Sequence, residues 1–175
     1  MYKLKETSIE IISKQNKDIK IFNHLSFDDN RGSLKIQFEG LTNSNHFSMK
    51  ESFSKSLTAR GLHFQNSPFK QSKIISISKG EIIDFYLDTR DPEKKIFYFL
   101  LTESMNVSIL FNENYAHGFI ALRPTIFRYI CLGKYSESNE ITYNVFPSIS
   151  KLLNLGNLIQ SKKDTLYPSL EVSLL

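Results

Sequence analysis

Residues 73–87 read Lys73-Ile74-Ile75-Ser76-Ile77-Ser78-Lys79-Gly80-Glu81-Ile82-Ile83-Asp84-Phe85-Tyr86-Leu87. Two short runs rich in isoleucine and aromatic residues, Lys73 to Ile77 and Ile82 to Leu87, are separated by the turn signal Lys79-Gly80, and this pattern predicts strands. Working outward, comparable runs recur at Ile9 to Ile12, Ile19 to Phe22, Leu34 to Phe38, Ile96 to Leu101, Val107 to Phe111 and Ile126 to Leu132. Asp91-Pro92, Asn114, Gly118 and Arg123-Pro124 punctuate them, and no central segment sustains a helical period. Regular spacing of short strands predicts a β-sandwich or jelly-roll barrel. Helices are expected only around Ser48 to Ser54 and in the tail, Ser150 to Leu158. With no internal repeat, low-complexity tract or linker, residues 1–175 are read as a single domain.

Composition narrows the classes of function. A hydrophobic fraction of 41% over 175 residues suits one domain with one sizeable core. The apolar runs fall well short of the roughly 18 to 20 residues needed to cross a bilayer, so no membrane span is expected. The start, Met1-Tyr2-Lys3-Leu4-Lys5-Glu6, has no long apolar stretch behind it, and the cytoplasm is the expected compartment. The single cysteine, Cys131, excludes an internal disulfide and a zinc cage, and reads as a small buried apolar residue. A net charge of +4 spread along the chain is too diffuse for a nucleic-acid footprint. It suits a small anionic ligand such as a diphosphate, for which a few converging cations suffice.

The densest group of reactive side chains is Arg60-Gly61-Leu62-His63-Phe64-Gln65, followed by Lys73. In a flat strand Arg60 and His63 would face opposite sides, so Gly61 is expected to supply a bulge that turns both into one cavity. Taken alone, His63 reads first as a structural histidine and second as a base. Asp84 and Tyr86 alternate with Ile83, Phe85 and Leu87, which describes either a polar pocket wall or a strand with one face in water. Asn114 to Phe119 reads as a turn leading into a strand that contains His117, and Tyr129 alternates onto the face of Phe127 and Cys131. By itself Tyr129 reads as a buried tyrosine with a hydrogen-bond partner. No metal is expected: a jelly-roll metal site takes two histidines one residue apart, a glutamate and a later histidine, and here Gln65 stands where the second histidine would be.

An ordered set of motifs carries more than any one of them. Phe27-x-Asp29-x-Arg31-Gly32, Ser52-x-Ser54, Arg60-Gly61-Leu62-His63-Phe64-Gln65, Gln71-Ser72-Lys73, Gly80 to Asp84, Asp88-x-Arg90, Ala116-His117-Gly118-Phe119, Tyr129, Tyr135 and Ser161-Lys162-Lys163-Asp164 follow one another along the chain. From about residue 20 to residue 165 the sequence resembles the dTDP-4-dehydrorhamnose 3,5-epimerase family. The resemblance implies an all-β cupin jelly roll with short peripheral helices, working without cofactor or metal on a nucleotide sugar. It matches His63 to the catalytic base, Asp164 to its carboxylate partner, Tyr129 to the acid on the opposite face of the sugar and Lys73 to the cation beside the enolate oxygen. Arg31, Arg60 and His117 match positions associated with substrate and diphosphate. Gln65, Asp84, Lys50 and Tyr135 fall among its pocket positions. It further implies a homodimer in which an early strand crosses to the partner.

The chemistry asks for such a kit on its own grounds. A C4 ketone acidifies the protons at C3 and C5, and inversion removes a proton from one face and returns one to the other, so two groups on opposite faces are needed. Histidine titrates near neutrality and a carboxylate can fix its tautomer. The developing enolate oxygen wants a cation. The sequence also departs from the family, with Ser48 and Lys50 where glutamine and asparagine are usual, Tyr143-Asn144-Val145 in place of a tryptophan-bearing turn, and no tryptophan at all. These departures leave open which sugar and nucleotide are used and whether one carbon or two are inverted. A C3-only epimerase, a 3,4-ketoisomerase and a non-catalytic sugar-nucleotide-binding cupin remain as alternatives.

Overall fold

A computed structural model describes residues 18–30, 32–36, 46–170, 172 and 174. Among them run β1 (Ile19–Asn23), β2 (Leu25–Asp29), β3 (Gly32–Ile36), β4 (Phe47–Ser54), β5 (Ala59–Gln65), β6 (Ser72–Lys79), β7 (Glu81–Asp88), β8 (Ile96–Thr102), β9 (Val107–Phe111), β10 (Tyr115–Ala121), β11 (Thr125–Leu132) and β12 (Glu140–Thr142). Two short helices follow, α1 (Phe146–Leu153) and α2 (Lys162–Thr165). The strands form two five-stranded antiparallel sheets, ordered β1-β9-β6-β11-β4 and β12-β5-β10-β7-β8, with β2 and β3 paired as a separate hairpin. No helix among the described residues is long and apolar enough to cross a membrane.

The decisive stretch explains why the sheets stack. On β7, Ile82 and Tyr86 join Phe99, Phe111, Ile75 and Phe127 in the core between the two sheets. Ile83, Phe85 and Leu87, on the other face of β7, pack with Phe146 and Ile149 of α1. Both faces of this strand are therefore buried, which accounts for its nearly unbroken apolar sequence. The alternative of a strand with one face in water is overturned, because Asp84 itself is wholly buried.

Predicted runs coincide with β1, β6, β7, β8, β9 and β11, and Leu34 to Phe38 overlaps β3; the run Ile9 to Ile12 lies outside the described residues. The helix expected at Ser48 to Ser54 is instead β4. Its side chains alternate with period two and pair residue for residue with β11, from Phe47 opposite Leu132 to Ser54 opposite Thr125. The tail helix starts earlier than expected. Pro147 lies in the first turn of α1, where a missing N–H costs nothing, and Asn154 ends the helix in the left-handed conformation at φ 53°.

Candidate active site

Between the two sheets lies a cavity of about 630 Å³, walled by β5 and β10 on one side and β4, β6 and β11 on the other. Its geometry begins with the predicted bulge. His63 pairs with His117 and Arg60 with Phe119, so three steps along β5 span two along β10, and Gly61 takes φ +107° within the extra step. Arg60 and His63 consequently both line the cavity. Gly118 permits the close approach: a Cβ there would run into the Arg60 carbonyl and come within 2.8 Å of the Leu62 side chain.

Asp164 reaches His63 from 101 residues away. Ile159 docks beside β5, accepting from Ala59 N–H at 2.8 Å and donating to Leu57 C=O at 2.8 Å, which carries the following turn over the cavity. There Ser161 caps α2, its Oγ accepting from Asp164 N–H at 3.1 Å, and the first turn of the helix presents the carboxylate. His63 Nε2 and Asp164 Oδ1 are 2.7 Å apart, with Asp164 almost sealed and His63 open to the cavity. Burial acts to raise the Asp164 pKa, but bonds from His63, Ser161 and the Gly61 backbone, with the charge of His63, outweigh it and hold the carboxyl below its ordinary range.

Tyr129 stands on the other sheet, on β11 between Ile75 of β6 and Lys50 of β4. Burial, reinforced by Cys131, Glu140 and Tyr135 and opposed by Arg60, raises its pKa, so the phenol keeps its proton at neutral pH. Lys73, opposite Cys131 on β6, donates from Nζ to His63 C=O at 2.9 Å and so ties the two walls together. Burial lowers the Lys73 pKa; Cys131 and Glu140 oppose the shift and Lys50 adds to it.

The remaining predicted residues divide into wall, support and rim. His117 lines the cavity, and its Nε2 lies 2.9 and 2.8 Å from the two carboxylate oxygens of Asp84. Asp84 is not on the wall; it stands behind His117, and burial, opposed by His117, raises its pKa. Gln65 lines the cavity but its amide is engaged with loop backbone, donating to Phe69 C=O and Lys134 C=O and accepting from Ser136 N–H. Arg60 is held at the mouth by Ser54 Oγ at 3.0 Å and Phe53 C=O at 3.2 Å. Lys50 and Tyr135 also line the cavity, whereas Arg31 lies outside the described residues.

Two further wall residues escaped the sequence reading. Glu140 of β12 accepts from Lys163 Nζ at 2.5 Å and from Tyr135 Oη at 3.3 Å. Burial would raise its pKa, but Lys163, His63 and Tyr135 together lower it. Lys163 adjoins Asp164 within a quoted motif and could have been found there. Glu140, in the polar run Ser136 to Glu140, carried no such signal.

A stacked antiparallel jelly roll of this kind is a cupin-type fold, and it holds a His–Asp pair on one wall of its cavity and a protonated tyrosine on the other. The chain belongs to the dTDP-4-dehydrorhamnose 3,5-epimerase family, whose model matches residues 13–171. It is 27% identical to the dTDP-4-dehydrorhamnose 3,5-epimerase of Shigella flexneri over 165 residues, 88% of this chain and 83% of that protein. The match to the Mycobacterium tuberculosis enzyme of the same name is 31% over 87 residues and takes in 47% of this chain and 43% of that protein, less than half its length. The crystal structure of the Bacillus anthracis dTDP-4-dehydrorhamnose 3,5-epimerase with TDP and PPi bound superposes with a TM-score of 0.73 at 29% identity, covering 87% of this chain and 94% of that one.

Proposed function

We propose that this protein epimerises a nucleoside-diphosphate 4-keto-6-deoxyhexose, converting dTDP-4-keto-6-deoxyglucose to dTDP-4-keto-rhamnose by removing and returning protons next to the C4 ketone. The observation that carries this reading is the placement of His63–Asp164 and Tyr129 on opposite sheets across one cavity. A flat sugar ring between those walls meets a base on one face and an acid on the other. His63 takes the proton, Asp164 fixes its tautomer and stabilises the imidazolium, and Tyr129 returns a proton from the far side. Lys73 offers an ammonium to the oxygen that gathers charge in the enolate. Arg60 and Lys163 at the mouth suit the diphosphate.

The test is incubation with dTDP-4-keto-6-deoxyglucose in deuterated water, followed by NMR of the sugar protons. Deuterium at both C3 and C5 of an inverted product is expected. Label at C3 alone would replace the double epimerase with a single one, and an unlabelled, unchanged sugar would remove this substrate from the reading.

The reading includes a homodimer in the cytoplasm, the compartment that a single reduced Cys131 suits. The face of β4 turned away from the cavity exposes Phe47, Met49 and Phe53 at 70, 64 and 61%, and the β2–β3 hairpin exposes Leu25, Phe27 and Leu34 at 58, 58 and 67%. Apolar surface of that extent supports a covered interface, and the family resemblance implies that the early segment of the chain crosses to the neighbour. Light scattering after size exclusion is expected to give twice the 20.3 kDa of the chain. A monomer at micromolar concentration would refute the dimer.

A further inference from the structure

Lys50 occupies a place that proton transfer between His63 and a sugar does not require. It lies directly opposite Tyr129 in the β4–β11 register, and its side chain is on the cavity side of β4. Its Nζ is 5.8 Å from the centre of the Tyr129 ring and 5.1 Å from that of Tyr135. Among the described residues no carboxylate pairs with it and no hydrogen bond holds it, whereas three other wall cations are engaged: Lys163 by Glu140, Arg60 by Ser54, Lys73 by the His63 carbonyl. The groups facing Tyr129 are Lys50, Arg60, Glu140, Cys131 and Tyr135, and the last three all disfavour its ionised form.

That disfavour matters at one moment of the reaction. When Tyr129 protonates carbon, its O–H bond breaks, the enolate electron pair forms the new C–H bond, the C4 carbonyl is restored and a phenolate remains. In a half-buried site beside Glu140 this phenolate is costly unless a cation faces it. We propose that Lys50 is the positioning residue of the acid side: its ammonium holds the negative charge of the Tyr129 phenolate until solvent water entering by the cavity mouth returns a proton to that oxygen, while the proton taken by His63 leaves to solvent. This rests on the assignment of Tyr129 as the acid. A neutral side chain at this position would leave Arg60, itself held by Ser54 Oγ and Phe53 C=O, as the cation facing the charge, so the departure from the family's usual asparagine gains a physical consequence.

The consequence can be separated from binding and from folding. In deuterated water His63 can exchange its proton and return deuterium to the same face, giving labelled substrate of unchanged configuration; only the acid side gives inverted product. The measured quantity is the ratio of label in recovered substrate to inverted product, at matched saturation, for wild type, Tyr129→Phe, Lys50→Met and Lys50→Arg. Tyr129→Phe is expected to raise the ratio most, Lys50→Met to raise it about tenfold, and Lys50→Arg to hold it within about twofold of wild type. A Lys50→Met protein whose exchange and inversion fall together, or whose KM alone rises, would show that Lys50 merely shapes the cavity or binds substrate and would overturn the proposal. If Tyr129→Phe leaves the ratio unchanged, the acid has been misassigned, and both that reading and the role of Lys50 fall. A melting temperature for each variant separates loss of fold from these outcomes.

Discussion

Replacing His63 with alanine is expected to lower turnover by a factor on the order of 10² or more while leaving the melting temperature within a few degrees of wild type. The imidazole is open to the cavity, and among the described residues its side-chain hydrogen bond is to Asp164, so truncation removes the proposed base without opening a core. Deuterium should then enter the sugar at neither carbon, because both exchanges begin with proton removal. Asp164→Asn probes the same pair from the other side. An amide cannot carry the charge that stabilises an imidazolium, so turnover is again expected to fall by about 10² or more, with little change in KM.

Asp164→Asn should also change how stability depends on pH. The Asp164 carboxyl is held below its reference value of 3.8, so the folded state favours the charged form. Its contribution is fully present above 3.8 and is lost as the pH falls through the lower folded-state value. The difference in melting temperature between wild type and Asp164→Asn should therefore narrow only on the acid side of pH 4. A gap that persisted unchanged below that range would mean that the carboxylate is not charged in the folded protein. Wild-type-like turnover in His63→Ala would remove the proposed mechanism altogether.

The residues behind these predictions were unequally legible in the sequence. Strands such as β7 announced themselves because both of their faces are apolar, and the bulge at Gly61 followed from asking how Arg60 and His63 could share a cavity. β4 misled because its polarity is inverted: Lys50, Ser52 and Ser54 line the cavity, while the side chains of Phe47, Met49 and Phe53 alternate with them and are exposed. A rule that places apolar residues inside fails where the inside is a polar site and the outside is itself apolar. Asp164 could be joined to His63 only through the family resemblance, since a separation of 101 residues leaves no trace in local spacing. Glu140 shows the complementary limit. An acidic residue in a polar run reads as solvated surface, and only the docking of α2 beside β12 turns it into the partner of Lys163 on a cavity wall.

Asp84 gives the largest stability effect. Alanine at this position is expected to cost about 3 kcal/mol, because it leaves a void and strips His117 Nε2 of its carboxylate partner in a place closed to water. The His117 ring is packed 4.9 Å from Phe111 and 6.1 Å from Phe127, centre to centre, and neither of those rings can take over the bond. For a chain of this length such a loss lowers the melting temperature by on the order of 6 to 12 °C. Asparagine keeps the volume and one hydrogen bond and should lose less than half as much. The informative comparison is the double replacement Asp84→Leu with His117→Phe, which removes both polar partners together. Buried polar pairs exchanged for well-packed apolar ones are often neutral in stability. Calorimetry is therefore expected to find the double variant more stable than Asp84→Ala, while its turnover stays low because the cavity wall has lost His117. Recovery of melting temperature without recovery of activity would mean that the pair is present to hold a polar ring at the substrate and not to stabilise the sandwich. A double variant as unstable as the single one would instead make it part of the fold's own support.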